Sequence, residues 1–153
     1  MDLADILSPQ QINPNMKASD RWEAIDELID QLVSVGKIKT EHRAAILASV
    51  RKRETSMSTG IGYGVGIPHA STDLIYEVVA ALGRSPLGIQ FDSLDNQPVN
   101  VVMLFLVPQG HLQKHLRTLS DIAKLLHRQD FRRSFESAAD SETIYQAIKA
   151  NKP

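Results

Sequence analysis

Between Asp20 and Val35 the apolar residues Trp22, Ile25, Leu28, Ile29, Leu32 and Val35 recur every three or four positions, which predicts an amphipathic helix. Asp20 and Glu23 have the spacing of a capping box, and Gly36 is a natural stop. A second helix is predicted from Glu41 to Arg53, opened by Thr40 and buried through Ile46, Leu47 and Val50, with a basic last turn that suits the negative helix end. The texture then changes. ETSMSTGIGYGVGIPHAST places Gly60, Gly62, Gly64 and Gly66 in one short stretch, which reads as a loop of special geometry. Downstream, Glu77–Leu82 and Val99–Val107 read as strands, the second apolar throughout, as expected of a strand covered on both faces. A shorter strand is predicted over Gly88–Phe91, followed by a turn from Asp92 to Pro98. Beyond Gly110 the residues Leu112, Leu116, Leu119, Ile122, Ala123 and Leu126 keep helical spacing, and short helices are predicted near Asp130–Ala138 and Ser141–Ala150. Helices before, between and after strands predict a sheet layered with helices.

The length of 153 residues predicts one domain spanning 1–153. With 17 basic against 18 acidic side chains, no polyanion-binding surface is indicated and nucleic acid is not an expected partner. The absence of cysteine excludes thiol nucleophiles, disulfide scaffolds and cysteine-ligated metals. MDLADILSPQ has neither the charge pattern of a secretory signal nor the length of a spanning helix, so a cytoplasmic protein with no direct membrane insertion is expected.

The glycine cluster fits neither common nucleotide loop. Gly60-Ile61-Gly62-Tyr63-Gly64-Val65 carries valine where a dinucleotide fingerprint needs a third glycine, and no lysine lies between Lys52 and Lys114 to complete a P-loop. The Pro-His pair just after the glycines carries more information. Pro68 stiffens the backbone immediately before His69, so an imidazole is held out from a rigid turn. The glycines at 60, 62 and 64, together with Ser58 and Thr59, could form a nest of amides and hydroxyls for a phosphate, with Ser56 and Ser71 nearby. The plainer reading is a flexible connector and a structural histidine. Arg53 suits paired hydrogen bonds to a phosphoryl group, although a helix C-terminus explains an arginine equally well. His111 and His115 have H-x-x-x-H spacing but lack the glutamate of a metalloprotease, so no metal site is assigned. His115 is expected at the edge of the core-facing stripe and His111 in solvent, while His42 and His127 are given no role.

The string STGIGYGVGIPH, with RET before it and HLRTLSDIAKLL after it, resembles the IIA domains of the fructose/mannitol class of the bacterial phosphoenolpyruvate-dependent phosphotransferase system, and particularly their nitrogen-regulatory relatives. The resemblance runs over essentially the whole chain. It implies an α/β fold with a mixed sheet flanked by helices on both sides and no cofactor. It also implies a phosphohistidine carrier that accepts from phosphorylated HPr or its nitrogen-branch counterpart. On the matching positions His69 is the phosphoryl acceptor, His115 an auxiliary histidine and Arg53 the cation that stabilises the phosphoryl group. Departures are Gly66 in place of the more usual alanine, and Tyr63 where many relatives carry a smaller or amide residue. Ile61, Tyr63 and Val65 are candidates for partner contact, or for packing under the loop. Within the family the nitrogen-regulatory branch, whose phosphorylation state is read by target proteins, stands against a sugar-specific subunit donating to a IIB component. Outside that pair stand a binding module that no longer transfers phosphate and a metal-dependent hydrolase.

Overall fold

The computed structural model describes residues 2–151. In chain order the elements are helix α1 (Leu3–Ile6), strand β1 (Ile12–Asn13), helices α2 (Arg21–Ser34) and α3 (Arg43–Ser56), and strands β2 (Gly60–Gly62), β3 (Val65–Gly66) and β4 (His69–Thr72). Two long strands come next, β5 (Val79–Ile89) and β6 (Val99–Pro108), then helices α4 (Leu116–His127), α5 (Gln129–Ser137) and α6 (Ser141–Ala150).

The sheet runs β1-β5-β6-β3-β2, with β4 pairing β6 beyond the end of β3. β5 and β6 are antiparallel, whereas β3 and β4 each run parallel to β6, so the sheet is mixed, as expected. The near-continuous apolar run of β6 follows from its central place. Val102, Leu104 and Leu106 pack with Ile25, Leu28, Ile46 and Val50 from α2 and α3. Val101, Met103, Phe105 and Val107 pack with Ile122, Leu126, Phe131, Phe135, Ile144 and Ile148 from α4–α6. Successive side chains of a strand alternate between faces, and here both faces are covered by helices.

The α2 stripe is realised, with Ile25, Leu28, Ile29 and Leu32 fully buried. Asp20 caps the helix by accepting from the Glu23 amide at 2.8 Å. The Glu23 carboxylate closes back on the Ser19 amide and hydroxyl, one residue earlier than a strict capping box predicts. Gly36 takes a left-handed φ of 80° just past the end of α2, a conformation glycine adopts without a Cβ penalty.

Several boundaries differ from expectation. A 3-10 turn over Thr40–His42 precedes α3, so the helix opens on Arg43 rather than Glu41 and Thr40 does not cap it. The strands expected at Glu77–Leu82 and Gly88–Phe91 are one strand, β5, whose pairing with β6 shifts between Arg84 and Ile89. Another 3-10 turn, Gln113–His115, precedes α4, and Leu116 is 47% exposed rather than on the buried stripe. The glycine segment is not a loop throughout. It forms the β2–β3 hairpin and then runs into β4.

Gly66 has a packing reason. A methyl group there would meet the Phe91 ring at 2.9 Å, and Phe91 is itself fully buried. The aromatic ring occupies the space that an alanine would claim. Gly66→Ala is therefore expected to lower stability by about 1–3 kcal/mol through overpacking. Adding Phe91→Leu should make the second substitution nearly neutral. A denaturant titration of the two single variants and the double variant checks this, and simple additivity would contradict it.

Candidate phosphoryl-accepting site

Four residues of α3, at positions 49, 52, 53 and 56, have the spacing of one helix face. That face and the start of β4 enclose a cleft of about 400 Å³ lined by Ser49, Lys52, Arg53, Ser56, His69, Ala70, Ser71 and Leu112. β4 has β6 as its strand partner, leaving its other side turned toward α3. Pro68 precedes the first residue of the strand, a position where proline is tolerated, and its carbonyl accepts from the Phe105 amide at 3.0 Å. His69 is thereby fixed opposite Phe105 in register.

The His69 ring is half-buried, and its Nδ1 lies 2.8 Å from the Ile67 carbonyl. A carbonyl can only accept, so Nδ1 carries the proton and the neutral ring keeps a free lone pair on Nε2. Burial pushes the pKa of His69 below the ordinary histidine value. The Ile67 hydrogen bond opposes that shift, the Arg53 charge adds to it, and the Glu54 carboxylate opposes it. Arg53 is itself half-buried and donates to the Met57 carbonyl at 3.1 Å, which ties its guanidinium to the chain just past the helix.

His69 and Arg53 are thus brought together, with Lys52 and Ser71 lining the same cleft. Lys52 is absent from the sequence-based candidates, although its i, i−3 and i, i+4 relations to Ser49 and Ser56 carry the signal. His115 is buried, and its ring stands edge-on to Phe105 at 6.3 Å between centroids. It therefore packs on the ring of the strand partner of His69 and is not among the residues lining the cleft. Burial, then the neighbouring charges of Lys114 and His111, lower its pKa. His111 is exposed, so the H-x-x-x-H pair does not share one environment. Among the described residues no three His, Asp or Glu side chains converge as a metal centre requires.

The residues of the expected phosphate nest are not among those lining the cleft. Val65 pairs with Val101 and His69 with Phe105, so four residues of strand separate them. The base of the hairpin, where Gly60 is paired with Gly66 and the Thr59 carbonyl accepts from the Ile67 amide at 3.0 Å, is the end nearer His69, and Gly62 and Gly64 lie farther along toward the tip. Ser58 donates its hydroxyl to the Phe91 carbonyl at 2.6 Å and accepts from the Gly60 amide at 3.1 Å. Thr59 spends both its amide and its hydroxyl on Glu54. Ser58, Thr59, Gly60, Gly62 and Gly64 therefore build the approach to β4 and do not line the cleft.

The hairpin tip has its own anchors. Tyr63, at a left-handed φ of 57°, is held by an Arg132 guanidinium on its carbonyl and by Asp95, which accepts from its amide at 3.1 Å. His127, given no role from the sequence, places Nε2 3.2 Å from the Gly62 carbonyl and meets the Tyr63 ring edge-on. Of the three candidate contact residues, Val65 is fully buried and Ile61 packs on the α4–α6 side of the core. Tyr63 is 79% exposed, but at the hairpin end rather than beside His69. Packing accounts for Ile61 and Val65.

No helix among the described residues is long and apolar enough to cross a membrane. Over 148 residues the chain is 30% identical to a nitrogen regulatory protein of Bradyrhizobium diazoefficiens, covering 97% of this chain and 95% of that protein. It is 32% identical over 151 residues to a PTS system fructose-specific EIIA component of Haloferax volcanii, covering 97% of each. Among solved structures it resembles the nitrogen regulatory protein IIA-Ntr of Neisseria meningitidis, with a TM-score of 0.85, 25% identity and coverage of 95% of this chain and 98% of that one. The family model described as phosphoenolpyruvate-dependent sugar phosphotransferase system, EIIA 2, matches residues 5–151, and the chain belongs to that family.

Proposed function

We propose that this chain is a phosphocarrier of the nitrogen-regulatory kind that accepts a phosphoryl group on Nε2 of His69 from phosphorylated HPr or an HPr-like protein. The observation that carries the reading is the 2.8 Å contact between His69 Nδ1 and the Ile67 carbonyl beside the Arg53 guanidinium. The Nε2 lone pair attacks phosphorus as the donor's P–N bond breaks, and the donor imidazole recovers its electron pair. The His69 ring gains positive charge as the new bond forms, while Nδ1 keeps its proton against the carbonyl oxygen. The protein supplies alignment and charge stabilisation, which phosphoryl transfer chiefly requires. Arg53 and Lys52 face the equatorial oxygens, and His115 supports the site through Phe105. Phosphorylated His69 would then be read by target proteins. The similarity to a fructose-specific EIIA component supports the second reading, in which a IIB component receives the phosphoryl group.

The test is incubation with phosphoenolpyruvate and the general carriers, with and without candidate IIB proteins, and then detection of an acid-labile, alkali-stable adduct. No adduct on the unmodified chain would sink the reading, and discharge by a IIB protein would favour the sugar-specific branch. Arg53→Ala is expected to slow acceptance by about 10²-fold, the usual loss when one stabilising donor is removed, with Arg53→Lys intermediate. An unaltered rate would remove Arg53 from the site.

The lowered pKa of His69 also fixes a pH dependence. At neutral pH the ring is already unprotonated, so acceptance should stay level down to about pH 6.5 and decline only below the ordinary histidine range. Between the depressed native value and about 6.5 the unfolded chain binds more protons than the native one, so stability rises with pH across that window. Following the His69 ring proton by NMR from pH 8 to 5 checks the direction. A midpoint above that of free histidine would contradict it.

A further inference from the structure

We infer that Glu54 is a positioning residue for phosphoryl acceptance, its carboxylate acting through Thr59 and Ile67 to hold the carbonyl that fixes the tautomer of His69. The inference rests on the phosphocarrier reading above. Glu54 is 1% exposed, and a buried carboxylate is costly unless hydrogen-bonded on most sides. Its partners show what it is for. It accepts from the Thr59 hydroxyl at 2.6 Å and from the Thr59 amide at 2.9 Å, whereas the Arg21 guanidinium approaches only to 3.3 Å. The two short bonds go to the segment leading to His69, and the cation completes the neutralisation.

From Thr59 the connection runs on through backbone. The Thr59 carbonyl accepts from the Ile67 amide at 3.0 Å, and the Ile67 carbonyl accepts from His69 Nδ1 at 2.8 Å. Thr59 is 4% exposed and Ile67 5% exposed, so water does not replace these bonds readily. Glu54 also comes directly after Arg53 in sequence, so the same anchor pins the helix turn from which the guanidinium reaches the cleft. One carboxylate therefore constrains both acceptor and cation.

The chemistry makes this matter. A neutral imidazole chooses between two tautomers, and only the Nδ1–H form presents a lone pair at Nε2. Shifting the Ile67 carbonyl by a few tenths of an ångström weakens the bond that makes the choice. The competent fraction, and with it the rate, then falls.

Long-range ¹⁵N correlation spectra of unphosphorylated protein read the His69 tautomer directly and need no phosphoryl donor. The wild-type chain should show Nδ1–H alone. Glu54→Gln and Thr59→Val should each show both tautomers, with acceptance slowed about tenfold. Thr59→Ser, which keeps the hydroxyl, should recover the single tautomer relative to Thr59→Val. Should Glu54→Gln not fold, the threonine pair decides. Folded Glu54→Gln or Thr59→Val protein with an unmixed Nδ1–H tautomer and an undiminished rate overturns this inference alone. A wild-type chain that takes no phosphoryl group overturns it together with the phosphocarrier reading.

Discussion

Replacing His69 by alanine is expected to abolish the phosphoryl adduct while leaving a folded protein. A lost nucleophile in a concerted site typically costs 10³-fold or more, because neighbouring cations can stabilise a transferring group but cannot accept it. No other histidine is placed to substitute. His42 ends the 3-10 turn before α3 and lines a different cavity, His111 and His127 are exposed and the latter is turned to the Gly62 carbonyl, while His115 is buried against Phe105. The fold should tolerate the change. His69 sits on a strand whose pairing is made by backbone groups, and the Pro68 carbonyl still meets the Phe105 amide. The variant loses one side-chain hydrogen bond, worth about 1 kcal/mol. Labelling of His69→Ala at the wild-type level, with a thermal melt close to that of the wild type, would move the acceptor elsewhere.

How far the site can be read from sequence depends on whether its determinants are local. Pro68 beside His69 is a local signal, and so is the period of α2, whose large buried side chains form a visible stripe. α3 is far less periodic, burying Ile46, Val50 and Glu54, and Lys52 on its polar face is therefore missed. β4 is different. His-Ala-Ser-Thr alternates in burial, but its buried positions hold Ala70 and Thr72 and not large apolar side chains, so its strand character appears only in the pairing with β6. β1 and α1, at two and four residues, are too short for any period to show. The glycine segment invites a phosphate nest because the residue types permit one. Only the folded cleft shows that its walls come from α3 and the start of β4 and not from the glycines. Glu54 is the sharpest case. As a charged residue in a basic helix turn it looks solvated, and its burial depends on Arg21, 33 positions earlier, and on Thr59 in the next segment.

Phe105→Ala is expected to produce the largest loss of stability among single substitutions near the site, about 3–5 kcal/mol. The side chain is fully buried in the cluster formed with α4–α6, and its removal opens a cavity that the paired strands cannot collapse to fill. Against a total of about 5–15 kcal/mol for a domain, that loss should unfold a measurable share of the protein near its working temperature. Denaturant titration should show a lower midpoint at unchanged slope. The consequence for function separates backbone from side chain. The Phe105 amide still bonds the Pro68 carbonyl whatever its side chain, so His69 keeps its place along the strand. The ring, however, is what His115 packs against. Phe105→Leu retains most of the volume and should fold with a loss of about 1 kcal/mol, while giving up the edge-on contact. Because His115 supports the site through the Phe105 ring, Phe105→Leu and His115→Ala should slow acceptance by similar factors, each no more than about tenfold, the modest end of positioning effects. Their combination should be no slower than either alone, because either substitution already removes the one contact between the two rings. Full additivity would mean that the two side chains act separately and that Phe105 serves His69 only as a strand partner.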